Sequence, residues 1–293
     1  MPNLRHIKDR IKSIKSTEKI TRAMKLVAAS KVRRAQTRVL NSRPYTSQIV
    51  NFVSRAIQGI LDKNEYPIMQ SREVQSVGII VISSDRGLCG SYNTSILKCA
   101  SRRVLELEKS GITPKLILIG SKANNFFKRA KYEILQSFVQ LPAVPTVEMS
   151  NLISEIAQRS FLERKVDKVE IIGTDFISML RNEVYTKSFL PISSNISTEQ
   201  RIADHEPNSF ILFEPSLSVV LDSLIPLYLS NVIYHALLEA LCSELASRMN
   251  AMSSASKNAK ELIENLSIVY NKARQAAITQ ELTEIVAGME ALA

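Results

Sequence analysis

The feature that most limits how this chain can fold is a run of sixty-one residues, Leu227 to Ala287, that contains no Gly and no Pro and is bracketed by Pro226 and Gly288. At about 1.5 Å per residue, such a run predicts one helix about 90 Å long, several times the mean helix of a globular domain. Steps of three and four pick out Leu238, Leu241, Leu245, Arg248, Met252, Ala255, Ala259, Leu262, Leu266, Val269, Ala273 and Ala276, a heptad seam interrupted only by Arg248. A seam of that length needs a partner helix. Residues 4–43, with Pro2 before them and Pro44 after, carry Ile7, Ile11, Ile14, Thr17, Thr21, Met24, Ala28, Val32, Ala35 and Val39 as one narrow stripe at helical spacing. An antiparallel pair of the first and last segments is the economical solution. The apolar pattern continues weakly through Ile49, Phe52, Val53, Ile57 and Ile60, then stops near 61–67. Since the first stripe is the shorter, the last helix is expected to run on alone from about Val269, which accounts for the small Ala273, Ala276 and Ala277.

Eight Gly and ten Pro in 293 residues leave few loops, and 45% apolar content is enough for a real core. The three cysteines, Cys89, Cys99 and Cys242, form no CxxC pair, so a reducing compartment is expected and no zinc site is visible. The first residues lack the apolar block of a signal peptide, and no run approaches the eighteen or so apolar residues of a membrane span. The chain is therefore expected to be soluble, or held at a membrane through partners. Its charge is uneven. Residues 1–43 hold thirteen Lys and Arg against Asp9 and Glu18, a net +11, while the remainder sums to −1. The partner of the first segment should be acidic, or should place carboxylates opposite it.

From Val74 the pattern changes. Val77 to Ile82 and Lys115 to Gly120 read as strands buried on both faces, with helices over 94–110, 121–131 and 146–164, and further strands over 134–139 and 166–173. This alternation predicts a small parallel α/β domain inserted between two rod helices, with 183–192 and 209–213 as candidate edge strands and 193–207 as a polar loop.

The loop Ser83-Ser-Asp-Arg-Gly-Leu-Cys-Gly-Ser-Tyr-Asn93 follows the first strand, at the end where α/β sheets bind ligands. Its glycines fit neither GxGxxG nor the P-loop, and a nucleophile elbow at Cys89 would need Gly where Ser91 stands. A cysteine-dependent hydrolase is thus weighed against a tight turn that needs Gly87 and Gly90, with Cys89 a small buried hydrophobe. His6, His205 and His235 lie in the rod segments and a loop, away from that strand end, and no pair has metal spacing. The basic first helix could grip nucleic acid, but its charges surround the helix and no aromatic is interleaved before Tyr45.

Three long motifs, in order, carry a resemblance. Ile11-Lys-Ser-Ile-Lys-Ser-Thr-Glu-Lys-Ile-Thr-Arg-Ala-Met-Lys-Leu-Val-Ala-Ala-Ser-Lys31, the loop SSDRGLCGSYN, and Tyr270-Asn-Lys-Ala-Arg-Gln-Ala-Ala-Ile-Thr-Gln-Glu-Leu-Thr-Glu-Ile-Val-Ala-Gly288 resemble the gamma subunit of F-type ATP synthases. The resemblance implies an antiparallel coiled coil of the N- and C-terminal helices with an inserted Rossmann-like parallel α/β domain. The divisions are 1–66 for the first helix, 74–213 for the α/β domain and 214–293 for the last helix. It implies a non-catalytic rotor without cofactor or metal, threaded into a hexamer of alpha and beta subunits and holding the epsilon subunit and the c-ring. The delta subunit would be met only indirectly, and membrane association would come through the complex. The complex would lie on the cytoplasmic face of a bacterial plasma membrane, or the stromal or cytoplasmic face of a thylakoid.

By motif match, Arg274, Gln275 and Thr279 resemble the residues that make polar contacts with beta subunits near the rod's upper end. Met24 and Lys25 fall where the family meets a lower beta loop, although Met24 also belongs to the apolar stripe and Lys25 suits a solvated face. Two departures stand out. Met289 follows Gly288 where the family commonly has Ala, and 191–213 lacks the paired cysteines and the length of the plastid redox insertion, so thiol switching of that kind is not expected.

Overall fold

The structure, a computed structural model, describes residues 4–58, 66–192, 213–214 and 216–290. The expected loop over 193–207, the possible strand at 209–213, except Phe213, and His205 lie outside those residues. The elements in chain order are α1 (Leu4–Gln58), a 3-10 turn (Pro67–Met69), β1 (Ser76–Ile82), α2 (Tyr92–Lys109), β2 (Thr113–Ile119), α3 (Ser121–Phe127), β3 (Glu133–Phe138), α4 (Val147–Leu162), β4 (Lys168–Phe176), β5 (Asn182–Leu190) and α5 (Leu217–Glu290). By contact density the chain divides into two units. Residues up to Ser30 and from Arg248 onward form one, and Lys31–Ser247 form the other.

In the larger unit the sheet order is β3-β2-β1-β4-β5, parallel except for the antiparallel edge strand β5. Alternate residues of β1 and β2 face opposite layers, as a strand's period of two dictates. Val77, Ile79, Val81, Leu116 and Leu118 pack with α2 and α3, including Ile96, Val104 and Phe127. Ile80, Ile82, Ile117 and Ile119 pack with α4 and with Ile49, Val53 and Ile57 of α1 and Leu221 to Ala240 of α5. Within this unit α1 and α5 run antiparallel: Ser42 and Arg43 meet His235 and Glu239, while Ile49 and Phe52 lie by Leu224 and Leu227. In the smaller unit the two helices touch where Ser256 Oγ donates to Glu18.

Several expectations are corrected. α1 does not stop at Pro44 but runs through it, and α5 starts at Leu217, runs through Pro226 and continues past Gly288 to Glu290. A proline inside a helix loses one hydrogen bond and crowds the preceding turn. Here both prolines face solvent while Val39, Thr46, Ile49, Leu221, Ile225 and Leu229 are buried around them, so tertiary packing overrides local propensity. Helix α3 ends at Phe127 rather than near 131, and β4 extends to Phe176.

The stripes also drift. Thr17 is exposed and Glu18 is half-buried in its place; Leu262, Val269 and Ala276 face out while Ile263, Tyr270 and Ala277 are half-buried. In α5 a strict 3.5-residue count rotates off the seam of a helix that turns every 3.6 residues, whereas the α1 stripe, read at helical spacing, is displaced at Thr17 alone. Finally, an eighteen-residue window in α5 reaches a mean hydropathy of 1.5, enough by length and composition to cross a membrane, contrary to the expectation that no run comes near a span. Burial accounts for part of this apolarity, since 39% of that window is buried; farther along α5, Ala236 to Ala240 and Cys242 to Ala246 are buried in succession.

Candidate functional site

The carboxyl ends of β1 and β4 flank the point where the winding of the sheet reverses, which is where an open α/β sheet offers a ligand site. The residues there are committed to one another. Asp85 accepts hydrogen bonds from the Ser121 amide at 2.8 Å and hydroxyl at 2.6 Å, and from the amides of Gln140 at 3.2 Å and Leu141 at 2.6 Å. Burial opposes its charge, yet these bonds prevail and hold the carboxyl below the usual carboxylate range. Ser84 pairs with Asn93, and Ser83 Oγ donates to Ile119 O while accepting from the Ala123 amide. The loop therefore ties β1, α3 and the turn after β3 together, and the side chains of Ser83, Ser84, Asp85 and Asn93 are engaged in doing so, while Arg86 and Ser91 are exposed.

Nor does His235 serve Cys89. Cys89 is 2% exposed, its sulfur accepting from Asn93 Nδ2 at 3.0 Å, as expected for a small buried group. His235 is engaged elsewhere, by Ser42 at 3.2 Å and Glu239 at 3.4 Å, and burial first, then Arg43, pushes it below the usual histidine range against the pull of Glu239. Cys242 is pushed up to about 12, chiefly by burial. Gly90 adopts a positive φ of 58°, which fits the expected turn glycine, but Gly87 does not; Leu88 carries the other left-handed conformation, at 63°. The crevice itself is filled by α5: Tyr92 donates to Ala240 O at 3.2 Å, and the Phe176 amide donates to Glu239 at 2.9 Å. No group of three or more His, Cys, Asp or Glu that could hold a metal occurs among the described residues.

The unit formed by the chain's two ends offers surface instead of a cavity. Arg274, Gln275 and Thr279 are all exposed, the Thr279 hydroxyl being turned back to Gln275 O at 3.0 Å. Met24 and Lys25 are half-buried next to exposed Leu26 and Val27. Every described side chain from Ile278 to Met289 is exposed, and Ile278, Leu282, Ile285 and Met289 recur at steps of four, three and four as one apolar stripe. The end of α5 is thus uncovered among the described residues, but from Ile278 and not from about Val269 as expected, since Tyr270, Ala273 and Ala277 are half-buried. The sequence reading did not single out Arg43 or Glu239. The available signal was a carboxylate in the middle of the apolar run Leu237-Leu-Glu-Ala240.

A family model described as ATP synthase matches residues 3–292. The ATP synthase gamma chains of Trichormus variabilis and a Nostoc species are each 42% identical to this chain, with the whole of both chains covered. The chain belongs to the ATP synthase gamma-chain family. A solved structure of the mitochondrial ATP synthase central stalk and c-ring of Tetrahymena thermophila contains a chain 28% identical, with TM-score 0.62, covering 81% of this chain and 99% of that one. A chain in the Euglena gracilis mitochondrial ATP synthase, 18% identical, shares the fold with TM-score 0.68 over 99% of this chain and 94% of that one. In this gamma chain the sheet crevice is filled by its own last helix, and the described surface of the helical unit leaves apolar side chains uncovered.

Proposed function

We propose that this gamma chain is the central rotor of an F-type ATP synthase, passing rotation of an ion-driven membrane ring to the alpha and beta hexamer that makes ATP. The observation that carries this reading is the apolar stripe Ile278, Leu282, Ile285 and Met289 on an uncovered helix end, a surface that a soluble chain keeps only for a partner. The chain itself does no catalysis. Its asymmetric surface presents different contacts to each beta subunit as it turns, and coupling is the difference in contact energy between those states. Arg274, Gln275 and Thr279, with Met24 and Lys25, make beta-subunit contacts in this reading. The epsilon subunit and c-ring hold the α/β region, and delta is reached only indirectly. The complex sits peripherally on the cytoplasmic face of a bacterial plasma membrane, or the stromal or cytoplasmic face of a thylakoid.

The test is assembly. Mixed with alpha and beta subunits of a related enzyme, the purified chain should yield an ATPase, and a cross-link between Thr279→Cys and a beta subunit should arrest turnover until reduced. An ATPase that turns over unchanged with the cross-link intact would remove the rotor reading. A nucleic-acid role is not favoured: the exposed Lys and Arg of α1 surround the helix instead of forming one face, and the uncovered end of α5 is apolar, whereas nucleic-acid affinity rests on charge.

A further inference from the structure

We infer that Arg43 and Glu239 are positioning residues forming the joint through which turning force passes between the α/β sheet and the paired long helices. This rests on the rotor reading above. Glu239 is 3% exposed. Its carboxylate accepts from Arg43 Nη2 of α1 at 3.1 Å and from the Phe176 amide at the end of β4 at 2.9 Å. The same Arg43 nitrogen lies 3.4 Å from Phe176 O, so the two side chains close a ring with one residue of the sheet. Three elements distant in sequence are tied at one point by three bonds, each with an ionised donor or acceptor, the kind about twice as strong as neutral ones.

Two further observations place the load here. Pro44 follows Arg43 directly, so α1 lacks a backbone hydrogen bond next to the residue that makes the joint. Force crossing that point passes through side chains as well as backbone. On the other side, α5 is bound to the α/β layer around Glu239 by Tyr92 on Ala240 O at 3.2 Å and by Asn182 on Ser247 Oγ at 2.7 Å. An apolar side chain at 239 would pack, but it could not hold the β4 peptide and α1 in one fixed orientation, since apolar contact has no direction.

The experiment uses the complete complex in vesicles and compares wild type with Glu239→Gln, Arg43→Met and Arg43→Lys. Glu239→Gln keeps shape and an acceptor for the Phe176 amide but removes the charge facing Arg43. ATP hydrolysis should stay within about twofold of wild type, while ions pumped per ATP should fall about fivefold, the lower end of typical coupling between sites. Arg43→Lys should recover part of the pumping. A merely structural role would lower the thermal midpoint of the isolated chain and leave pumping per ATP unchanged in every variant, and that result overturns the joint. If Glu239→Gln does not assemble, Arg43→Met, altered at a half-exposed side chain, decides in the same way. A wild-type chain that fails to assemble and pump would sink the rotor reading instead, so the two failures are distinguishable.

Discussion

Gly120 has φ of 91°, and a Cβ there would stand 2.4 Å from the Ser83 carbonyl oxygen. Both backbone conformation and space forbid a side chain, so Gly120→Ala should lower unfolding free energy by more than about 2 kcal/mol in a urea titration. Gly87 looks equivalent in sequence, but its φ is ordinary and a Cβ would meet nothing nearer than the end of Lys122 at 3.8 Å. Gly87→Ala should therefore change stability by no more than about 0.5 kcal/mol. The contrast shows what was legible in the loop. That it makes a tight turn follows from its composition, and Gly90 and buried Cys89 were read correctly. Which residues carry the left-handed backbone depends on how Asp85 is held by Ser121 and Leu141, contacts made with positions far along the chain that no local pattern records.

At the scale of elements, the strands were legible because a strand buried on both faces is a short apolar run, and the two long helices because their runs so exceed the ordinary length. The helix ends were not, since Pro44 and Pro226 are overruled by packing that the sequence does not display. The same residues supply a test: Pro44→Ala, at an exposed position, should restore a backbone hydrogen bond and raise stability by about 1–3 kcal/mol in urea denaturation, and a loss would show that the turn depends on proline. Polar clasps between elements were also invisible. Glu170 on β4 is 3% exposed and takes two hydrogen bonds from Arg103 of α2, both 2.8 Å, and one from Lys168, also 2.8 Å. Burial raises its pKa, but these partners outweigh it and hold the carboxyl below the usual range, as the Ser76 and Gln75 bonds do for Asp167. For a depressed carboxylate the stabilisation is present above the unfolded pKa, near 4, and is lost as pH falls through the lower folded value. Stability should therefore decline from about pH 5 downward. Glu170→Gln should cost about 2–4 kcal/mol at neutral pH and flatten that decline, as urea midpoints at several pH values would reveal.

At the scale of the molecule, the uncovered end of α5 contributes nothing to the chain's own stability. Removing residues 278–293 should leave the unfolding free energy from urea titration within about 0.5 kcal/mol of the full chain, while Leu282→Lys with Ile285→Lys should reduce self-association of the isolated chain in light scattering. A truncated chain that melts early would mean this segment is covered after all. The helical unit also joins segments far apart in sequence, one before Lys31 and one from Arg248 onward. The sheet and its covering helices α2 to α4 are encoded without interruption between Ser76 and Leu190, and can form while synthesis continues. The opening segment cannot: its partner begins at Arg248, so at about 5 to 20 residues per second it leaves the ribosome and waits on the order of ten seconds or more for the second half of its pair. An amphipathic helix left alone that long is an aggregation hazard unless it repels its own kind. Eight Lys and Arg against two acids between Arg5 and Lys25 supply that repulsion, so part of the charge that could be read as a grip on a partner also protects an unfinished protein.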